Sequence, residues 1–327
     1  MVKNIIITNV GRRGYLVVFF KSIPEMKGKV FVSDCDITAS GLYGNNDGFF
    51  ILPKPVDNEL DYVNALIDVC EKNEINVVVP VIDPEIYILS GYKDLFEEKR
   101  IQVVVSDRRV LDICFDKLKM NTFLKSIGMP YPMTFSSLRE FYSALGNNLI
   151  SFPVVLKPIL GSGSVETYIV DTEAKMNSLF HQGLIIQEKI DGVEYGVDLF
   201  NSLNGEPLRC VIKRKISMRS GETDKCISVH DSIIQNDLLL IAKRLRHIGN
   251  LDCDVIVSNG ATIVIDMNPR FGGGYPATHS IGVNLIDVLF QLLNGKDVRA
   301  AFGNYPEDVL VMKEIAVKKT IIHGILL

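Results

Sequence analysis

The chain has 327 residues, 47% hydrophobic and 23% charged, enough apolar material for two or three packed units and too much for a disordered chain. Lysine and arginine together number 35 against 39 aspartates and glutamates, a net charge of −4, so the basic footprint of a nucleic-acid binder is absent. No apolar run reaches the roughly 18 residues of a membrane helix. The start, Met1-Val2-Lys3-Asn4-Ile5-Ile6-Ile7-Thr8, lacks a signal peptide's apolar stretch and cleavage site, so a cytoplasmic protein without a membrane partner is expected.

The six cysteines, Cys35, Cys70, Cys114, Cys210, Cys226 and Cys253, form no C-x-x-C pair, and the five histidines show no metal spacing. Reduced core thiols are expected, with the chemistry left to carboxylates and lysines.

Short β-branched runs at Ile5-Ile6-Ile7, Val30-Phe31-Val32, Val77 to Val81 and Val103-Val104-Val105 read as strands buried on both faces. Helical patterns lie between them, around 14–22, 60–72 and 86–98, with Leu60, Val63, Leu66, Ile67 and Cys70 at helical spacing. The alternation predicts a β/α unit with parallel strands up to about residue 110. Its first strand enters Asn9-Val10-Gly11-Arg12-Arg13-Gly14, a turn before a helix, where backbone N–H groups favour an anion. The turn has Gly11 and Gly14 but lacks the third glycine of the dinucleotide fingerprint, for which Asp34 would be the ribose ligand. Arg12 and Arg13 are candidates for an anionic substrate, or form a solvated helix start. Asp83 and Glu85, in Pro80-Val81-Ile82-Asp83-Pro84-Glu85, follow a strand's C-terminal end, where open α/β sheets bind ligands. Their other reading is an acidic helix N-terminus.

Beyond residue 110 the pattern changes. Asp116-Lys117 opens a helix with Leu118, Met120, Phe123 and Leu124 at core spacing, which Gly128-Met129-Pro130-Tyr131-Pro132 ends. After a helical stretch near 137–145, the apolar strand Phe152 to Pro158 carries Lys157 at its end and enters Gly161-Ser162-Gly163-Ser164. A lysine beside a Gly/Ser loop offers a phosphate a point charge and backbone donors, whereas the loop alone would also serve as a hairpin turn. The strand Leu184 to Ile190 follows, then Asp191 to Asp198, whose alternation sets Glu194 and Asp198 on one face. Asn259-Gly260 between the apolar runs 251–257 and 262–268 is a strong hairpin signal. Such a hairpin places Asp254 nearly opposite Asp266, with Asn268 on the same face as Asp266. Two carboxylates and an amide oxygen make an oxygen site suited to Mg²⁺, the alternative being a charged, exposed edge.

In this order, Asp116-Lys117, Lys157 with 161–164, Gln187-Glu188-Lys189 with Glu194, Asp254, and Asp266-Met267-Asn268-Pro269-Arg270-Phe271-Gly272-Gly273-Gly274 resemble the ATP-grasp superfamily. Within it, the likeness is to the carbamoyl-phosphate-synthase-like carboxylate–amine ligases, and it spans nearly the whole chain. The resemblance implies an α/β and α+β protein: an N-terminal parallel-sheet domain over 1–110, an ATP-grasp lid with a linker helix over 111–188, and a core with the metal hairpin over 189–327. It implies that Lys117 and Lys157 hold the phosphates of ATP, that Gly161, Ser162, Gly163 and Ser164 close over them, that Gln187, Glu188, Lys189 and Ile190 receive adenine, and that Glu194 takes the ribose. Asp254, Asp266 and Asn268 would hold Mg²⁺. Arg270, with Arg214 as a further candidate, would stabilise the transferring phosphoryl group. The implied reaction turns a small-molecule carboxylate into an acyl-phosphate that an amine attacks, releasing ADP and phosphate. A carbamoyl-phosphate-type kinase and a non-catalytic ATP-binding module are the alternatives. Arg12, Arg13, Asp83 and Glu85 would serve the substrates, and a homo-oligomer is compatible with the sequence.

Overall fold

Strands that are apolar on both faces need cover on both faces, and a parallel sheet between helices provides it. In the computed structural model, which describes residues 3–161 and 166–320, β1 (Asn4–Thr8), β2 (Val30–Asp34), β3 (Phe49–Ile51), β4 (Ile75–Pro80) and β5 (Gln102–Val103) pair in the order β3-β2-β1-β4-β5. All four pairings are parallel. Ile5, Ile6 and Ile7 are fully buried at its centre.

The connecting helices are α1 (Tyr15–Lys21), α2 (Glu59–Lys72), α3 (Asp83–Ser90) and α4 (Lys93–Glu98). Asn58 caps α2 by accepting a hydrogen bond from the Asp61 N–H, and Tyr62, Val63, Leu66, Ile67 and Cys70 form its buried stripe. Leu60, expected on that stripe, stands at its margin in the first turn and is 56% exposed. The helical pattern at 86–98 is two helices, because α3 ends at Gly91 and α4 restarts after Tyr92.

The chain divides into two compact units. The first takes the residues up to Val105 together with Ile286–Val298 and the chain from Lys313; the second takes Ser106–Leu285 and Arg299–Met312. The sequence places everything after 189 in one core. Much of the return lies in an apolar helix, Leu-Ile-Asp-Val-Leu-Phe-Gln-Leu-Leu, whose local pattern does not say which unit it joins.

The second unit holds two antiparallel sheets. Following α5 (Arg108–Phe115) and α6 (Lys117–Ser126), β6 (Thr134–Phe135), α7 (Leu138–Gly146), β7 (Val154–Pro158), β8 (Tyr168–Val170), α8 (Glu173–Leu179) and β9 (Leu184–Glu188) build a four-stranded sheet in the order β6-β9-β7-β8. Phe141, Val154, Leu156, Met176 and Ile186 pack its core. Then come β10 (Val193–Asn201), β11 (Pro207–Arg219), β12 (Glu222–Val229), α9 (Ser232–Leu245), β13 (Gly249–Ser258), β14 (Ala261–Asn268), α10 (Tyr275–Ser280) and, after α11 (Leu285–Leu293), which belongs to the first unit from Ile286 onward, β15 (Leu310–Met312). Six of these strands pair in the order β14-β13-β10-β11-β12-β15.

The period of two along these strands sorts their residues. Val197, Leu199, Cys210, Ile212, Leu251 and Cys253 join Leu238, Ile241 and Leu245 of α9 in one apolar core. Truncating Leu199 or Leu251 there would cost about 2–5 kcal/mol. The intervening residues, Glu194, Gly196 and Asp198 on β10, Lys213 and Lys215 on β11, and Asp252 and Asp254 on β13, belong to the opposite face. That face carries the charge.

Candidate functional site

The β13–β14 hairpin turns at Asn259 and Gly260, both with positive φ, 51° and 78°. Its register sets Asp254 opposite Asp266 and Asp252 opposite Asn268, with an irregularity between Asp254 and Val255. The carboxylates expected to lie nearly opposite each other are in register through that irregularity, since the turn alone would set Asp254 opposite Ile265. Asn268 donates its amide to Asp266 Oδ2 at 3.2 Å. The Asn268 Oδ1 atom is buried and has no hydrogen-bond partner. An orphaned amide oxygen beside a carboxylate pair fits a hard cation, which takes oxygen ligands of this kind. Among the described residues, no three histidine, cysteine, aspartate or glutamate side chains gather at metal-binding spacing. An ion here would draw on two carboxylates, the amide oxygen and oxygens of a ligand.

Two lysines from elsewhere in this unit come to the same place. Lys157, at the end of β7, donates to the Ile265 carbonyl of β14 at 3.2 Å. Burial lowers its pKa to about 8, opposed by the charges of Asp266 and Asp254 and reinforced by that of Lys117. Lys117 itself is buried and donates to the Gly161 carbonyl at 2.6 Å. Asp116, the N-cap of α6, holds this start of the helix by accepting from the N–H groups of Leu118 and Lys119. Ser162, Gly163 and Ser164, the rest of the expected phosphate loop, lie outside the described residues.

Sequence reasoning passed over the lysines of β11. Lys215 lies 2.7 Å from Asp254 Oδ1 and 2.8 Å from Glu194 Oε1. Those two carboxylates hold its pKa above the usual range against the opposing effect of burial. Burial raises the Asp254 pKa, with Lys215 pulling the other way and Asp266 and Glu194 adding to the rise. Lys213 pairs with the buried Asp198 and donates to Thr278 Oγ1 at 2.6 Å, while Asn250 donates to the other Asp198 oxygen at 2.9 Å. Arg214, chosen from the run Lys213-Arg214-Lys215, pairs with Tyr195 on the other side of the sheet and is exposed. Strand alternation is the physical reason, and it would have selected its neighbours instead.

Arg270 follows the hairpin, 3.6 Å from Asp252 Oδ2 and 9% exposed. Burial pushes the Asp252 pKa up to about 7, with Asp254 and Asp198 adding to the rise and Arg270 and Lys213 opposing it. The glycines after Arg270 have a steric cause. A Cβ on Gly272 would stand 1.8 Å from Asp252 Oδ2, and one on Gly273 would stand 2.5 Å from the Glu222 carboxyl carbon. The loop lies directly over two carboxylates.

At the segment expected to receive adenine, side chains already hold the strand end. Gln187 is buried and donates to Thr134 Oγ1 at 3.0 Å, and Glu188 Oε2 accepts from the Met133 N–H at 3.1 Å. Lys189 pairs with Asp191, and Ile190 is half-buried beyond β9.

The remaining candidates belong to the first unit. Arg12 is exposed, and Arg13 donates to the Val81 carbonyl. The Gly11 N–H, one of the donors expected to meet an anion, is answered at 2.8 Å by Asp34. Asp83 and Glu85 both lie in the first turn of α3. Glu85 is fully buried and accepts a hydrogen bond from Tyr62, and burial pushes its pKa up to about 7.

Residues 5–104 match the PylC-like N-terminal domain family and residues 114–274 match the ATP-grasp domain family. The carbamoyl-phosphate synthase of Methanobrevibacter smithii is 25% identical over 269 residues, which cover 76% of this chain and 70% of that relative. The arginine-specific carbamoyl phosphate synthase large chain of Bacillus subtilis is 21% identical over 260 residues, and the matched part is only 25% of its length. In solved structures, the biotin carboxylase domain of the Hydrogenobacter thermophilus 2-oxoglutarate carboxylase, in complex with MgADP, ADP and bicarbonate, superposes with a TM-score of 0.73 at 17% identity. That superposition covers 95% of this chain and 74% of the other. At such identities the likeness is one of fold.

Proposed function

Because this chain belongs to the ATP-grasp superfamily, with a PylC-like domain ahead of the ATP-grasp domain, we infer that it uses ATP to activate a carboxylate as an acyl-phosphate for attack by an amine, releasing ADP and phosphate. The observation that carries this reading is the meeting of Lys157, from the four-stranded sheet, with the hairpin that bears Asp254 and Asp266. Cations for phosphates and oxygens for a metal then share one place, and phosphoryl transfer asks chiefly for charge placed in advance.

In this reading Lys117 and Lys157 meet the phosphates, and Glu194, on the same sheet face, takes the ribose. Asp254, Asp266 and Asn268 hold Mg²⁺, which neutralises phosphate charge when bound. Arg270, next to Asp252 and close to the hairpin end, meets the negative charge that spreads over the phosphoryl group in transfer. The acid and the amine are small molecules, for which Arg12, Arg13, Asp83 and Glu85 remain the first-unit candidates. No described helix is long and apolar enough to cross a membrane. A cytoplasmic setting, which supplies ATP and keeps thiols reduced, suits the reading.

The test is ADP release by the purified chain with Mg²⁺ and ATP against pooled carboxylates and amines. Release that requires one acid and one amine together is the expected result. ATP binding without release in every pool would contradict the ligase.

A further inference from the structure

Lys215 reaches across a neighbouring strand. It stands on β11 and Asp254 on β13, with β10 between them. Its ammonium nevertheless lies 2.7 Å from Asp254 Oδ1 and 2.8 Å from Glu194 Oε1, and only 4% of the side chain is exposed. Gly196, the β10 residue in register with Asp254, opens the path. A Cβ there would stand 3.2 Å from Lys215 Cε and 3.7 Å from Asp254 Oδ1. The lysine stem crosses bare backbone to reach the metal hairpin.

We propose that Lys215 is a fixed cation of the nucleotide site, standing where a second divalent ion would otherwise bind, so that the site takes one divalent ion per bound nucleotide. The proposal rests on the ATP-binding reading above. A divalent ion of the magnesium kind needs several oxygen ligands in near-octahedral array. Here one oxygen of Asp254 and one of Glu194 already face an ammonium, and one oxygen of Asp266 already accepts from Asn268. The other Asp254 oxygen, Asp266 and Asn268 Oδ1, with ligand and water oxygens, make up the share of a single ion. A second ion using Asp254 would lie beside the buried ammonium held at that carboxylate, and like charges at such close range repel. The ammonium supplies a positive charge at the same place without requiring a coordination shell.

Equilibrium dialysis of the full chain with Mn²⁺ and a saturating non-hydrolysable ATP analogue counts the ions held per bound nucleotide. The wild type should hold one. Lys215→Met should hold two, since Asp254 and Glu194 lose their resident cation, and Lys215→Arg, which keeps the charge, should hold one. Two ions in the wild type, or one in Lys215→Met, overturns the proposal. Should Lys215→Met fail to bind the analogue, one ion in both the wild type and Lys215→Arg supports it and two in either overturns it. A wild type that does not bind the analogue overturns the ATP-binding reading itself, and the proposal with it.

Discussion

Carboxylates lie on or beside the sheets of both units, and they are treated differently. In the parallel sheet, Glu85 is wholly buried with a phenol, Tyr62, as its hydrogen-bond partner, and its pKa rises to about 7. Asp34, at the end of β2, accepts a hydrogen bond from the Gly11 N–H in the turn that follows β1. On the antiparallel face, Glu194 and Asp254 share the ammonium of Lys215, and Asp198 faces Lys213. Glu85 is buried against a neutral donor, and burial raises its pKa, whereas Glu194, Asp254 and Asp198 each have an ammonium group beside them. We read the first as a strut and the second as the proposed site.

Breaking the charged face should have the largest effect. Asp266→Asn removes a carboxylate from the proposed metal hairpin and should lower Mg²⁺-dependent ADP release about a hundredfold or more, with an unchanged circular dichroism spectrum. Wild-type release in that variant would remove Asp266 from the metal site. Next, Lys157→Ala should weaken binding of an ATP analogue about 10- to 100-fold, the equivalent of roughly 1.5–3 kcal/mol for a charged hydrogen bond, while adenosine binding changes little. Since the Lys157 pKa is lowered to about 8 and phosphate prefers the ammonium form, wild-type affinity for the analogue should fall as the pH rises through 8. Calorimetry at pH 7 and pH 9 checks the slope, which should flatten in Lys157→Ala.

The strut is tested through stability. Glu85 has its pKa raised from 4.5 to about 7, so between these values the folded chain holds a proton that the unfolded chain has released. Its contribution is therefore favourable at low pH and is lost as the pH rises towards 7. Glu85→Gln should raise stability at pH 8 by on the order of 2–3 kcal/mol, with little change at pH 4, measured by urea denaturation at both values. An equal change at the two pH values would mean that packing, and not the proton, sets the effect. The smallest effect belongs to Arg12→Ala. Arg12 is exposed, and analogue affinity should stay within about twofold of the wild type.

Much of this contrast is readable from the chain. The period of two in Val193 to Asp198 assigns Glu194 and Asp198 to one face, and Asn259-Gly260 sets the pairing from Ser258–Ala261 to Val255–Val264, whereas Asp266 comes opposite Asp254 only through the irregularity between Asp254 and Val255. Less legible is β11, whose outer half, Lys213-Arg214-Lys215-Ile216-Ser217-Met218-Arg219, lacks the apolar alternation of a half-buried strand, because its site face is charged and its other face is largely exposed. Without that strand the run of three basic residues looks like a patch, and the choice falls on Arg214. Lys215 emerges only when β11 is paired with β10 and the gap at Gly196 is seen. The partners of Asp34 and Arg13, a backbone N–H and a carbonyl, are likewise products of the turn's fold and leave no mark in residue type. The return of Ile286–Val298 to the first unit is a long-range choice that an evenly apolar helix does not encode locally.

We propose that the charged antiparallel face, and not the acidic edge of the parallel sheet, holds nucleotide with its metal. Calorimetric titration of a non-hydrolysable ATP analogue, with and without Mg²⁺, into Asp266→Asn and Glu85→Gln tests it directly. The account predicts that Asp266→Asn loses the gain in affinity that Mg²⁺ gives the wild type and that Glu85→Gln retains it in full. Retention in Asp266→Asn together with loss in Glu85→Gln would contradict the account.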